Sequence, residues 1–233
     1  IYQVSLPLPM RLNHIHAYLI QGSDGWSVVD FGLNWSGAQS AWKEALSELA
    51  IGPTDISKLF LTHMHPDHFG MCGWFQEWSG HPIHLSAITL NQIHRVWIDH
   101  AWDPQKIASW WSRCGIPQEI SSTASDKAVS LRENTYPHPD LERINIVEPN
   151  SEIALGERTF QTIHAPGHAE GQLLLYNADD RIIFSGDQVL MKITPNIGLW
   201  PTSSADPLKY YLNSLASVSY THLTLPTMVA WRA

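Results

Sequence analysis

The stretch of sequence that decides the fold is residues 62–70, which read THMHPDHFG. It directly follows a short apolar segment of the kind that forms a buried strand. Because side chains alternate along an extended chain, His63 and His65 are expected on the same side. Asp67 and His68 then begin a predicted helix, where a carboxylate suits the positive end of the helix dipole. The loop therefore offers two imidazoles to one metal ion, and a carboxylate with an imidazole to a second.

This pattern, His-x-His-x-Asp-His after a strand, resembles the signature of the metallo-β-lactamase-fold hydrolase superfamily. Residues 165–168, APGH, resemble the second motif of that family, and residues 184–187, FSGD, resemble its third. The three motifs stand in the family's order, and the resemblance covers nearly all of residues 10–217. Three ordered motifs are far more specific than any one of them.

The resemblance implies six metal ligands in this chain: His63, His65 and His168 for a first ion, Asp67 and His68 for a second, and Asp187 between the two. It also makes Asp67 the catalytic residue, because its carboxylate can orient the attacking water as well as bind metal. The family's last ligand is a histidine in a Gly-His-Gly-like loop beyond the final helix. No such motif occurs before Ser217, so the second set of ligands is expected to be incomplete.

The resemblance implies a metal-dependent hydrolase. Nitrogen and oxygen ligands without a thiolate suit Zn²⁺, and iron or manganese are also allowed. Two divalent ions about 3.5–4 Å apart can share a water, lower its pKa and present hydroxide to an electrophile. We therefore expect a metal-bound hydroxide to act on a carbonyl ester, either a thioester or a lactone, with the glyoxalase II-like branch as the nearest analogy. Asp187 favours this, because members of the family that destroy β-lactam antibiotics commonly carry Cys there, whereas thioesterase, lactonase and nuclease branches carry Asp.

Two alternatives stay open at this point. One is a mononuclear iron dioxygenase of the same fold that acts on persulfides, for which one metal suffices. The other is an inactive, truncated fragment that binds at most one metal ion, which the missing final histidine favours. A nuclease is disfavoured because no basic patch appears in the sequence.

The hydrophobic pattern predicts an α/β chain, and the resemblance implies a four-layer αβ/βα sandwich with a helical insertion. Strands are predicted at residues 14–20, 26–30, 58–62, 81–85, 144–147, 152–155, 159–164, 172–176 and 181–185. Helices are predicted at residues 35–50, 67–78 and 206–216. The insertion occupies about residues 86–143, with helices at 89–100, 104–114 and 119–132.

The insertion is rich in tryptophan: Trp97, Trp102, Trp110 and Trp111. These side chains either pack the inserted helices onto the domain or form a cap whose apolar face closes over the metals and selects an acyl chain. Lys192 and Asn196, which follow the third motif, are further candidates to contact substrate. Of the remaining histidines, His16 and His164 are expected nearest the site. Cys72 is expected to be a small core residue rather than a ligand.

Composition excludes several classes of protein. The 233 residues carry 22 acidic and 14 basic side chains, a net charge of −8, and 44% hydrophobic residues, so the chain is neither disordered nor a coiled coil. The acidic balance argues against nucleic acid as a partner, and no run of about 18 apolar residues suggests a membrane span. We expect a small-molecule substrate with an apolar group. Two cysteines cannot form a disulfide framework, so a cytoplasmic location is expected.

The last residues differ in character from the rest. Residues 218–227 read VSYTHLTLPT, which is similar to a translation of the transposon-end adapter used in short-read library preparation. A segment of this origin carries no information about the native fold. We therefore expect the family domain to occupy residues 1–217 and residues 218–233 to be a non-native tail. Because the chain begins at Ile1 without an initiator Met, we also expect its start to be missing.

Overall fold

The computed structural model describes residues 1–99, 103–121, 131–190 and 192–219. Its strands are β1 (Tyr2–Pro7), β2 (His14–Gly22), β3 (Gly25–Val29), β4 (Ile56–Phe60), β5 (Ile83–Leu85), β6 (Ile144–Ile146), β7 (Glu152–Leu155), β8 (Arg158–His164), β9 (Leu173–Asn177) and β10 (Ile182–Phe184). Its α-helices are α1 (Ser36–Glu48), α2 (Pro66–Phe69), α3 (Cys72–Ser79), α4 (Ala87–Ile93), α5 (Pro104–Arg113) and α6 (Pro207–Ser219). Short 3₁₀ turns occur at Pro53–Asp55 and Leu141–Arg143, and a π-helical turn, His94–Ile98, continues α4.

The strands form two sheets. The first has the order β1-β2-β3-β4-β5-β6, antiparallel from β1 to β3 and parallel from β3 to β6. The second has the order β10-β9-β8-β7 and is antiparallel throughout. In the first sheet Val29 pairs with Phe60, so β3 and β4 end side by side. That edge is where the histidine-rich loop begins.

Burial divides the molecule into four layers. Alternation along β2 sends Ile15, Ala17 and Leu19 into a core shared with α1 and α3, and sends Ile20 to the opposite face. On that opposite face the two sheets pack together through the following side chains: Ile20, Val29 and Phe60 from the first sheet, and Phe160, Leu173, Leu175 and Phe184 from the second. Behind the second sheet, Leu174 packs with Val218 of α6. The layers are helices, sheet, sheet and helix, which confirms the predicted sandwich.

Helix α2 and helix α3 replace the single helix predicted over residues 67–78. The predicted helix is interrupted because the Met71 N–H donates to the Gly32 carbonyl, 2.9 Å away, instead of to a carbonyl one turn back in the helix. Gly70 permits the crossing, since a Cβ there would lie 2.7 Å from the Asn134 carbonyl oxygen. The short α2 is thereby held against the end of β3.

The predicted insertion contains α4, its π-helical extension and α5. Ser86 caps α4 by accepting a hydrogen bond from the Thr89 N–H at 3.0 Å, and Asp103 caps α5. Most of the helix predicted over residues 119–132, together with His100 and Trp102, lies outside the described residues. The domain boundary predicted after residue 217 stays a prediction, as does the tail that follows it.

None of the helices in the described part of the chain combines the length and the apolar character that crossing a bilayer requires.

Candidate metal centre

The structure gathers five of the six predicted ligands at one edge of the sandwich. His63 and His65 follow β4 on extended backbone, and His68 lies on α2. His168 comes from the loop between β8 and β9, and Asp187 from the segment after β10. They form two overlapping groups whose ligand atoms lie within 4.8 Å of one another: His63, His65 and His168 in one, and His63, His68 and Asp187 in the other.

His63 is held by a hydrogen-bond relay that starts at Asp30, directly after β3. The Thr62 hydroxyl lies 2.9 Å from Asp30 Oδ2 and 2.9 Å from His63 Nδ1. Its single proton goes to the carboxylate, so the hydroxyl accepts from the His63 Nδ1–H. The other ring nitrogen, Nε2, then carries a lone pair. It is buried and has no hydrogen-bond partner.

Asp30 also orients His68. Its Oδ2 accepts from His68 Nδ1 at 2.8 Å, which leaves His68 Nε2 facing the site. Asp30 itself is buried, with φ +61°, a strained conformation for a residue other than glycine. One carboxylate thus orients a histidine from each group.

His168 and His65 meet directly. The Asn196 carbonyl can only accept, so it takes the His168 Nδ1–H at 2.9 Å and leaves Nε2 for the site. That Nε2 lies 2.7 Å from His65 Nδ1. His65 therefore presents Nδ1, whereas the other three histidines present Nε2.

Asp187 faces both groups at once. Its Oδ1 lies 3.3 Å from His68 Nε2, and its Oδ2 lies 3.3 Å from His168 Nε2. The two oxygens of one carboxylate therefore point to one histidine of each group. This is the position that a ligand shared by two ions requires, so it supports the predicted role, which stays a prediction.

Burial and charge set the protonation of these groups. Burial, reinforced by neighbouring histidines, lowers the pKa of His63 and of His65 well below the usual value, so both are neutral and able to bind metal. Burial alone would lower the pKa of His68, but the charges of Asp30 and Asp187 outweigh it and hold that pKa well above its usual range. Burial would raise the pKa of Asp187, but the positive charge of His68 and the contact with His168 hold it well below the usual value.

A divalent metal ion fits these residues. Buried polar atoms normally have hydrogen-bond partners, yet among the described residues His63 Nε2 has none, and the neighbour of His68 Nε2 is the Asp187 carboxylate at 3.3 Å in the same cluster. A metal ion would accept the lone pair of His63 Nε2 and would replace the proton between His68 and Asp187. Imidazole and carboxylate ligands are those that zinc, iron and manganese sites share.

Asp67 stands apart from the two close groups. It lies in the first turn of α2, and within the described residues it is not among the atoms that meet within 4.8 Å. Burial raises its pKa, and the charges of His68, Asp187 and His168 also act on it, so it borders the cluster. Its roles as a ligand and as the catalytic carboxylate stay predictions.

One tryptophan of the insertion packs against the histidine-rich loop. Trp97, fully buried, donates its indole N–H to the Met64 carbonyl at 2.9 Å, between the first two histidines. Its ring stacks on Phe69, one residue after His68, with centroids 6.4 Å apart. Trp97 thus packs under the histidine-rich loop, as the packing interpretation of the insertion expects.

The other residues singled out from the sequence lie outside the two ligand groups in the described part of the chain. His164 Nε2 donates to the Glu170 carbonyl at 2.7 Å. His16 stacks edge-on against His14, 5.0 Å between centroids, and its buried Nδ1 has no hydrogen-bond partner among the described residues. Cys72 is fully buried, and burial holds the pKa of its thiol well above the usual value, which suits a core residue. Lys192 is exposed.

The sequence did not reveal Asp30, Thr62 or the Asn196 carbonyl as partners of the ligands. Metal-binding histidines normally give their second nitrogen to a carboxylate or carbonyl, and the sequence alone does not identify that group. One signal was present, because the strand predicted over residues 26–30 ends on the acidic residue Asp30. Its meaning depends on β3 lying beside β4.

Comparison with known proteins agrees with this geometry. The family model described as Metallo-beta-lactamase superfamily matches residues 10–220. Similar curated proteins include the Probable metallo-hydrolase YqjP of Bacillus subtilis, 26% identical over 93% of this chain and 66% of that protein. Another is the Acyl-coenzyme A thioesterase MBLAC2 of Gallus gallus, 25% identical over 76% of this chain and 58% of that protein.

Among solved structures, the metallo-beta-lactamase family protein TTHA1429 from Thermus thermophilus matches with a TM-score of 0.83 and 27% identity, over 94% of this chain and 69% of that one. A beta-lactamase domain protein from Burkholderia ambifaria matches with a TM-score of 0.76 and 23% identity, over 92% and 62%. The chain spans 66% of the length of the Bacillus subtilis protein and 58% of that of the Gallus gallus protein.

Proposed function

The chain belongs to the metallo-β-lactamase superfamily. We propose that it is a hydrolase that uses two divalent metal ions, zinc rather than iron or manganese. Its substrate is a carbonyl ester, either a thioester or a lactone. The observation that carries the proposal is the buried cluster of His63, His68 and Asp187, in which His63 Nε2 has no hydrogen-bond partner among the described residues and His68 Nε2 faces the Asp187 carboxylate. His63, His65 and His168 would hold the first ion. His68, Asp67 and Asp187 would hold the second, with Asp187 shared.

The ions would supply a water that ionises near neutral pH and a Lewis acid for the carbonyl oxygen. The chain's own residues supply the orientation. Asp30 fixes the rings of His63 and His68 through hydrogen bonds of 2.8–2.9 Å, so neither ring has to reorient to bind. Asp67, whose pKa is raised by burial and which borders the cluster, would accept a hydrogen bond from the attacking water.

A thioester is the substrate class that the relatives favour. The curated proteins from Gallus gallus and Homo sapiens named as acyl-coenzyme A thioesterases are each 25% identical to this chain over 76% of it. An aspartate at position 187, in place of cysteine, is also what thioesterase-like and lactonase-like members share. We further propose a small-molecule substrate with an apolar group and a cytoplasmic location, which is supported by two cysteines without a disulfide.

The test is hydrolysis by the chain after it is reconstituted with Zn²⁺. Release of thiol from a simple acyl thioester is followed with a chromogenic disulfide, and ring opening of a lactone by proton release. We expect metal-dependent turnover that His65→Ala abolishes. His94→Ala is the matched control, because that histidine is exposed and pairs with a surface carboxylate, Asp99. Turnover retained in the His65 variant would refute the assignment.

Metal analysis separates the hydrolase from its alternatives. Two zinc ions per chain with thioester or lactone turnover support the proposal. One iron per chain with oxygen consumption on a persulfide would replace it with the dioxygenase. Metal bound without any turnover would contradict it and favour the inactive fragment.

A further inference from the structure

A small cleft, about 20 Å³ in volume, lies directly beside two of the proposed metal-binding histidines. Its lining includes His65, His168, Trp200, Ser203 and Pro207. A group in the cleft is therefore in reach of the centre where the proposed reaction takes place. The loop of residues 196–203, one wall of this cleft, begins at the Asn196 carbonyl, which orients His168, and continues to Trp200, to which the proposed chemistry gives no role.

The charge of the lining indicates which half of a substrate it accepts. Among the described residues the cleft is lined by Met64, Ala169, glycines and Trp200, with hydroxyl and amide groups between them, and without Lys or Arg. The ionisable group that the described lining adds to the histidines is Glu170, a carboxylate. No side chain of this lining would pair with an anionic leaving group, which would lose its hydration here. An uncharged acyl group suits the cleft.

Contacts with Gly198 and Ser203 fix the position of Trp200. A Cβ added to Gly198 would lie 2.5 Å from the indole Nε1 of Trp200, so the ring lies directly on the glycine backbone. Ser203 closes a turn around the same residue, since its hydroxyl accepts from the Trp200 N–H at 2.9 Å and its own N–H donates to the Trp200 carbonyl at 3.1 Å. The position of the indole is thereby fixed from two directions.

Helix α5 of the insertion is attached to the same wall. The ring of Trp111 lies against that of Trp200, with centroids 5.9 Å apart, and the indole N–H of Trp110 donates to the Leu199 carbonyl at 3.3 Å. A few residues earlier, the Asn196 carbonyl accepts from the metal-binding His168. The wall therefore connects the insertion with the metal centre.

We propose that this cleft binds the uncharged acyl group of the substrate, and that Trp200, held by Gly198 and by Trp111 of the insertion, sets the acyl length that the enzyme accepts. The inference rests on the proposed ester hydrolysis and adds its substrate side. The leaving group, which carries the charge in an acyl-coenzyme A, then lies outside the cleft. The tryptophans of α5 act as positioning residues for this wall.

The experiment measures kcat/KM of the zinc-loaded chain for acetyl, butyryl, hexanoyl and octanoyl thioesters of a small neutral thiol. A methylene that gains full burial contributes about fourfold to binding. Trp200→Ala should therefore raise the octanoyl-to-acetyl ratio by roughly tenfold or more, mainly through KM. Trp111→Ala should shift the ratio in the same direction by less. An unchanged ratio in the Trp200 variant would overturn the proposal.

Matched controls exist within the chain. Trp35 lies on Gly37 as Trp200 lies on Gly198, with a Cβ at Gly37 only 2.3 Å from the indole, but it is bonded to the Pro7 carbonyl instead of lining the cleft. Gly198→Ala should change the ratio by displacing the indole without removing it, whereas Trp35→Ala and Gly37→Ala should not. A change in these two controls as large as in the Trp200 and Gly198 variants would also overturn the proposal.

Binding without turnover keeps the two proposals distinguishable. Unreactive alkyl amides of the same chain lengths are titrated calorimetrically into the same variants. If the chain hydrolyses no ester but Trp200→Ala still shifts amide binding towards longer chains, the proposed function fails and the acyl cleft stands. If esters are hydrolysed and neither measurement shifts, only the acyl cleft fails.

Discussion

Asp30 is predicted to control the metal affinity of both ligand groups, although it binds no metal itself. Its carboxylate accepts the Thr62 N–H at 2.9 Å, the Thr62 hydroxyl at 2.9 Å and the His68 Nδ1–H at 2.8 Å. In Asp30→Asn one oxygen becomes an NH₂ group, a donor that faces other donors. Either a buried donor loses its acceptor or the His68 proton moves to Nε2. The second outcome removes the lone pair that the metal needs.

The structure gives the size of this effect. A hydrogen bond to a charged group contributes about 1.5–3 kcal/mol, and at least one is lost. If that free energy is lost from metal binding, the affinity for the metal falls by roughly 10–100-fold. Substitutions of residues that orient metal ligands typically cost about the same factor. The two routes agree, so a loss within this range is the expected result for Asp30→Asn.

The assay is competition for Zn²⁺ against a chromophoric chelator at constant pH, with the Co²⁺ absorption spectrum as a second measure of ligand geometry. Asp103→Asn is the matched control, because Asp103 accepts two backbone N–H groups at the start of α5 and asparagine caps a helix equally well. The variant at position 103 should bind zinc as the unmodified chain does. Zinc affinity within twofold of normal in Asp30→Asn would refute the relay.

Three further predictions concern the surroundings of the site. Trp97→Phe leaves the buried Met64 carbonyl without its donor, at about 1–3 kcal/mol, and should weaken zinc binding several-fold in the same competition assay, whereas Trp35→Phe, which removes an indole bond to the Pro7 carbonyl, should not. Since burial raises the pKa of Cys72, a thiol reagent at pH 8 should label the exposed Cys114 in the folded chain and should label Cys72 only after unfolding. The same raised pKa means that stability is unaffected below the thiol's unfolded pKa, about 8.5, and falls as the pH rises above it, which denaturant titrations at pH 7.5 and 9.5 would measure. Gly167→Ala combines a φ of +132° with a Cβ 2.4 Å from α6 and should lower Tm by several degrees more than Gly80→Ala, whose Cβ has nothing within 4 Å; equal shifts would contradict this.

The fold was predictable from the sequence where its causes are local. Alternating apolar residues located β2 and β8, and Glu152–Leu155 was predicted with the bounds that the structure shows. The break between α2 and α3 was not predictable, because it depends on Met71 bonding to Gly32, a partner that becomes close only after β3 is in place. Nor did any local pattern show which tryptophan of the insertion supports the histidine-rich loop.

The proposed metal ligands were predictable from local sequence, whereas the groups that orient them were not. His63, His65 and His68 follow one another along a strand end and a short helix, so their spacing alone predicts that they converge. The Asp30 carboxylate lies 32 residues before Thr62 in sequence, and only the parallel pairing of Val29 with Phe60 brings them together. Parallel strands end at a common edge, so an acidic residue after one strand is a neighbour of whatever follows the next. Once β3 and β4 are assigned as adjacent parallel strands, Asp30 becomes the first carboxylate to test as a partner for the histidines, before any side chain is placed.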